Sequence, residues 1–368
     1  MLRRVMLKGF KSIKAMDLEL RPLNVLIGAN GAGKSNLVSF FKMLNEMMGE
    51  RLQDYIATAG RAHSLLHYGP KVTLQLEAQL EFEVTNGWDT YDMRLFYAVG
   101  DTLVFAEETL SFLEAGRLGN PKVVSLGAGH QETRIGAEAN QGGAIAKALR
   151  FLLNNSRVYH FHDTSATARI RQFGYIGDNR PLLPDAGNLA AFLYRLQNQH
   201  ESTTYQRIVN TIRMIAPFFH DFALEPTGSN AKDIILNWRE KESDQIFGPH
   251  QLSDGSLRAI CLVTLLLQPE SELPRLIIVD EPELGLHPYA LNVVASLFEK
   301  ASHHAQVLIS TQSSSFLDNF DPEDVVVVDR EGKESVFRRP DSSSLNSWLD
   351  EYSLGEVWEK NVIGGGPH

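Results

Sequence analysis

Residues 1–10 alternate polar and apolar side chains, the period of a half-buried strand. An apolar run follows at 23–27, and an amphipathic stretch from Ser35 to about Met48 has the 3.6-residue period of a helix. Alternation returns over 72–84, 90–99 and 103–112, broken at Asn86-Gly87 and Gly100-Asp101, which predicts a β-meander with tight turns. Helices are expected at 142–153, at 188–199 and at 205–215 before Pro217. Strands are expected at 158–161, 222–224 and 234–238. Toward the C-terminus, 257–267 reads as a buried helix, 275–283 as a buried strand ending in carboxylates, 306–310 as a strand and 344–349 as a short helix. No heptad pattern is sustained, so long coiled-coil arms are not expected. The apolar stretches are far shorter than the roughly twenty residues that span a bilayer.

A length of 368 residues suggests two or three structural units. With 35 basic and 45 acidic side chains the net charge is −10, so the surface as a whole does not advertise nucleic acid or acidic membranes. A local basic groove stays open. The single cysteine, Cys261, falls in the 257–267 helix and reads as a small buried hydrophobe. The N-terminus lacks the apolar core of a signal peptide, which places the protein in the cytoplasm. The Gly- and Pro-containing residues 364–368 read as a disordered tail.

GANGAGKS, Gly28–Ser35, lies between the predicted strand 23–27 and the helix, the context a phosphate-binding loop requires. In such a loop the backbone of Gly28, Ala29, Asn30, Gly31, Ala32 and Gly33, with Asn36 behind it, turns N–H groups toward ATP phosphates at a helix N-terminus. Lys34 then reaches the β- and γ-phosphates, and Ser35 offers a hydroxyl to Mg²⁺. The other acidic half of this chemistry is RLIIVDEPE, residues 275–283. Asp280 is suited to hold hydrated Mg²⁺, and Glu281 to orient or deprotonate the attacking water. A Gly-rich turn without nucleotide and a solvated acidic turn are the plainer readings of the two segments.

LSDGSLR at 252–258 resembles the signature loop of ABC-type ATPases and precedes the acidic strand at their short interval. The chain resembles RecF/SMC/OLD-type ATPase heads. It is more closely similar to stand-alone AAA-type ATPases of bacteria, which share LKGFKSI at 7–13, VYHFHD at 158–163 and DEPELGLHP at 280–288. The likeness runs from about residue 2 to 360, with its specific motifs at the two ends. It implies an α/β P-loop NTPase with a mixed sheet core and an inserted α+β arm or lid. The implied organisation is a head from 1–70 and 246–350, an insertion at 71–245 and a tail at 351–368. It also implies two ATP molecules sandwiched between two heads, so that Ser253, Asp254, Gly255 and Ser256 cap a γ-phosphate in trans, with His287 in the D-loop and His162 and Asp163 near the Q-loop. Asp254 stands where glycine is usual and needs a partner such as Arg258. Gln312 stands where transporters carry a switch histidine; it can donate to the γ-phosphate or the attacking water but cannot titrate. Ser253 or Asp254 as a simple helix cap, and His287 as an ordinary helix start, remain open.

His160-Phe161-His162-Asp163 has His-x-His spacing, a metal-ligand pattern, but His220, His250, His303 and His304 do not extend it into a metal hydrolase. Arg169 and Arg171 read as a solvated face or as contacts to phosphate or DNA. The expected activity is ATP hydrolysis to ADP and phosphate, driving a homodimer or higher oligomer in a DNA-associated process such as repair or anti-phage defence. The other reading is control of a separately encoded nuclease or toxin effector without DNA contact. An in-chain TOPRIM nuclease has too few residues after Gln312, and a transporter motor would need a membrane partner.

Overall fold

The computed structural model describes residues 1–116, 119–198, 202–228 and 231–366. Two compact units divide the chain. The first comprises Met1–Val158, Pro274–Ile278 and Gln306–His368, and the second Tyr159–Leu273 and Val279–Ala305.

The first unit contains an antiparallel sheet in the order Ile13–Glu19, Leu2–Phe10, Gln75–Val84, Gly87–Ala98, Thr102–Glu114, Lys122–Gly127. Period-two burial follows from the alternation: Leu76, Leu80, Tyr91 and Leu95 are fully buried, while intervening Glu, Asp and Arg side chains face water. The meander is therefore where its pattern predicts, with Lys122–Gly127 as a strand that the sequence did not single out. Gln75–Val84 pairs directly with Leu2–Phe10, Val5 opposite Leu80. The sheet buries one face against the helix Lys34–Met48, whose Phe40 meets Phe10 edge-on at 5.8 Å. Truncating such a residue to Ala costs about 3–5 kcal/mol. Glu108, also fully buried, is satisfied by Tyr91 OH (2.7 Å), His130 Nε2 (2.9 Å), the Arg134 N–H (3.0 Å) and the Thr133 hydroxyl.

A second sheet runs Glu334–Arg338, Val325–Glu331, Leu23–Ile27, Gln306–Thr311, Leu276–Asp280, Ser156–Tyr159. Leu23–Ile27 is parallel to both its neighbours, and Glu334–Arg338 is antiparallel to Val325–Glu331, so the core sheet is mixed. All five residues of Leu23–Ile27 are buried, which explains a run with little alternation. The expected α/β architecture with a mixed sheet is the one observed.

The tail reading is overturned for residues 364–366. Trp358 and Ile363 are buried; Trp358 Nε1 donates to the Gly365 carbonyl (2.9 Å), and the Gly365 N–H donates to Asp329 Oδ2 (3.1 Å). Those anchors hold the glycines; Pro367 and His368 lie outside the described residues.

In the second unit the helices Leu189–Asn198, Ser202–Ile215, Asp254–Leu267 and Pro288–Ser302 accompany a small antiparallel sheet of Phe219–Phe222, Trp238–Glu240 and Ile246–Phe247. Residue Gln199, expected at a helix end, is outside the described set. The strand expected at 234–238 is two pieces: Asp233–Ile234 pairs with Gly174–Tyr175, and Trp238 begins the next strand, stacked between Phe219 and Phe247. Cys261 is buried, and desolvation pushes its thiol well above the ordinary range. Among the described residues the longest helices have 15 residues, in keeping with the absent heptads, and none is long and apolar enough to cross a membrane.

Candidate functional site

The loop Gly28–Gly33 leaves the buried strand and enters Lys34–Met48 through Gly33, whose φ of 119° is open to glycine alone. A Cβ there would also lie 2.0 Å from Ser335 Oγ. The loop is braced from outside. The Ala29 N–H donates to the Gly365 carbonyl (3.0 Å), Arg330 Nη1 donates to the Gly31 carbonyl (3.2 Å) and Ser335 Oγ donates to the Ala32 carbonyl (2.5 Å). Asn36 Nδ2 reaches Ser12 Oγ (2.5 Å), which itself meets Ser335 Oγ (2.6 Å). Lys34 is only 4% exposed, and its ammonium donates to the carbonyls of Gly28 (2.5 Å) and Ala29 (3.2 Å). A buried ammonium at the mouth of a glycine-rich strand–helix loop suits a site for phosphate. Ser35 is exposed at the start of the helix. The braces Arg330, Ser335 and Gly365 escaped the sequence reading because they come roughly three hundred residues later with no local signature.

In the second unit, Asp280 ends its strand half-buried, and Glu281 follows with φ 44°. A non-glycine residue held there is strained by about 1–3 kcal/mol, a feature concentrated at working sites. His162 Nε2 bonds the Asp280 carbonyl at 2.9 Å. One ring nitrogen of His160, one of His162 and a carboxylate oxygen of Asp280 lie within 4.8 Å of one another. Asp163 does not join them: its carboxylate accepts the Ser165 N–H in solvent. Gln312 follows the strand Gln306–Thr311, half-buried, in the first unit.

Ser253 caps the helix Asp254–Leu267, accepting the Ser256 N–H at 3.1 Å, so the cap reading of this loop is realised. Gly255 is required by packing, since a Cβ would meet the Gly285 carbonyl at 2.1 Å. His287 likewise caps Pro288–Ser302 through the Tyr289 N–H (3.4 Å).

Two expectations about arginines are corrected. Arg258 does not pair with Asp254; it donates to the carbonyls of Phe161 (3.2 Å), His162 (3.0 Å) and Leu284 (3.1 Å), tying the signature helix to the His162 segment and the acidic turn. Arg171 is the partner of Asp254 (2.8 Å). It is buried, not on a solvated face, and also donates to the carbonyls of Thr164 (2.8 Å), Leu252 and Pro249. Its planar fork serves several acceptors at once, which the sequence could not reveal because most of them lie about eighty residues away.

A family model described as "AAA domain, putative AbiEii toxin, Type IV TA system" matches residues 23–318, from the phosphate-loop strand past Gln312. The chain belongs to this AAA family. The fold of this AAA protein is also that of SMC heads. One similar structure is an SMC head bound to the C-winged helix domain of ScpA, at 14% identity, 95% of this chain, 99% of that chain and TM-score 0.62. Another is an SMC head with an extended coiled coil bound to the C-terminal domain of ScpA, derived from Pyrococcus furiosus, at 14% identity, 95% and 98% coverage and TM-score 0.57. No curated protein matches the chain. The chain is thus an AAA-family protein with the fold of an SMC head.

Proposed function

We propose that this AAA protein hydrolyses ATP and uses it as a dimerisation switch. The observation that carries the reading is one chain holding a braced phosphate loop with a buried lysine, a capped signature helix and a strained acidic turn. The backbone of the Gly28–Gly33 loop and Lys34 hold the triphosphate, and Glu281 orients the attacking water. Ser35 and Asp280 are hard oxygen donors that would hold Mg²⁺, which neutralises phosphate charge. Ser253 to Ser256 offer a second helix N-terminus to the γ-phosphate of a partner copy, and Arg171 turns the Asp254 carboxylate aside. Residues 71–245 report the nucleotide state, Gln312 contacts the γ-phosphate side, and His287 lies at the dimer seam. The process served is DNA-associated, in repair or anti-phage defence, in the cytoplasm.

A second reading has the ATPase control a separately encoded nuclease or toxin effector with no DNA contact of its own. It is favoured by the toxin–antitoxin wording of the family description and by the ScpA domains bound to the SMC heads.

Light scattering of the wild type and Glu281→Gln, with and without ATP and Mg²⁺, tests the switch. The mass should double on ATP, and the variant should hold the doubled mass while turnover falls at least 100-fold, about 2.7 kcal/mol of lost transition-state stabilisation. Constant mass together with unaltered turnover in the variant would sink it.

A further inference from the structure

We propose that His160, His162 and Asp280 form a site for a divalent transition metal such as Zn²⁺ or Mn²⁺, separate in selectivity from the Mg²⁺ of the nucleotide reading. Among the described residues they are the one group of three side chains of this kind whose donor atoms come within 4.8 Å of one another. Two imidazole nitrogens and one carboxylate oxygen, with a coordination position left over, suit Zn²⁺, Co²⁺ or Mn²⁺, whereas Mg²⁺ prefers an all-oxygen shell. Donors bound to one ion at about 2.1 Å lie about 3–3.5 Å apart, so side-chain rotations on the order of an ångström complete the site.

The supports are already built. His162 Nε2 faces the Asp280 carbonyl at 2.9 Å, and because a carbonyl only accepts, that nitrogen carries the proton. The neutral ring then keeps its lone pair on Nδ1. A histidine whose second nitrogen donates to a backbone carbonyl is the usual outer shell of a metal-bound imidazole. The carbonyls of Phe161 and His162 are both held by Arg258, and the His160 N–H donates to the Pro184 carbonyl at 2.9 Å, so the His-x-His segment is fixed along its length. His160 and His162 present their rings 6.0 Å apart between centroids, tilted by 49°. The motif lacked a third ligand in the sequence; Asp280, 118 residues beyond His162, supplies it. Because Asp280 is shared, a bound transition metal competes with the Mg²⁺ role that the ATPase reading gives this residue.

The test uses the full chain without a polyhistidine tag, stripped with chelator and kept free of nucleotide, so that its failure leaves the ATPase reading untouched. Zn²⁺ titrated calorimetrically should bind at one equivalent with micromolar or tighter Kd. His160→Ala and His162→Ala should each weaken it at least tenfold. His63→Ala, which removes an exposed histidine paired with Asp101, should leave it unchanged. Co²⁺ in place of Zn²⁺ should give the intense visible bands of a four- or five-coordinate site, lost in His160→Asn, a smaller change that guards against misfolding of the alanine variant. Absence of saturable uptake at one equivalent, or uptake and spectra unchanged in the His160 and His162 variants, overturns the proposal.

Discussion

Arg171 shows how a single buried guanidinium shapes the signature loop. Its side chain is 6% exposed while that of Asp254 is 62% exposed, so their ion pair lies at the edge of water and the carbonyl bonds to Thr164, Leu252 and Pro249 lie inside. An exposed charge pair is worth about 0–1 kcal/mol, whereas orphaned buried carbonyls cost about 1–3 kcal/mol each. Arg171→Met should therefore destabilise the protein by about 2–4 kcal/mol and Asp254→Ala by less than about 1 kcal/mol. Urea unfolding of the two variants checks this; equal losses would mean that the ion pair, not the carbonyl cradle, holds the loop. The local placement of several residues was legible because spacing fixes it: Gly33, Lys34 and Ser35 join a strand to a helix, Ser253 caps the next helix, and Asp280 ends a strand just before Glu281. Arg171 was not, since it acquires its meaning mostly from atoms about eighty residues away. The guess that Arg258 pairs with Asp254 failed for the same reason, one helical turn being a poor guide to where a long side chain finds its acceptors.

At the scale of elements, the phosphate loop is preorganised by segments that the sequence order places last. Val325–Glu331, Glu334–Arg338 and the segment after Trp358 supply Arg330, Ser335 and Gly365, each bonded to the outer side of the loop. A site held by such an outer layer keeps its geometry before the ligand arrives. Glycine content made the last segment look disordered, yet Gly365 is a glycine for a packing reason. Its φ is 67°, and an added Cβ would lie 2.7 Å from Val327 Cγ1 and 3.0 Å from the Val328 carbonyl. Gly365→Ala should push this strap off the Ala29 N–H and weaken binding of a fluorescent ATP analogue roughly fivefold, about 1 kcal/mol. Unchanged affinity, with circular dichroism confirming the fold, would show that the strap does not support the loop. Three strands of the meander, Gln75–Val84, Gly87–Ala98 and Thr102–Glu114, were by contrast legible apart from their ends, because alternation against a single buried face constrains the register.

For the whole molecule, the separation of the motifs along the chain is a consequence of how the first unit is assembled. Leu23–Ile27, which carries the phosphate loop, is flanked on both sides by strands from the last third of the chain, Gln306–Thr311 and Val325–Glu331. The antiparallel sheet, in contrast, is complete within residues 2–127. The sequence pattern showed both sets of strands but not this division, since periodicity reports which face of a strand is buried and nothing about which distant strand pairs with it. A fragment of residues 1–158 would therefore retain one whole sheet and leave the buried strand Leu23–Ile27 with two open edges of unpaired N–H and carbonyl groups, a template for aggregation. Such a fragment should bind no ATP analogue and run as aggregates on gel filtration, while its circular dichroism keeps the β signal of the meander. A monomeric fragment that melts cooperatively and binds the analogue would show that the loop needs neither flanking strand. The parallel pairing then would not be what couples nucleotide binding to the C-terminal motifs.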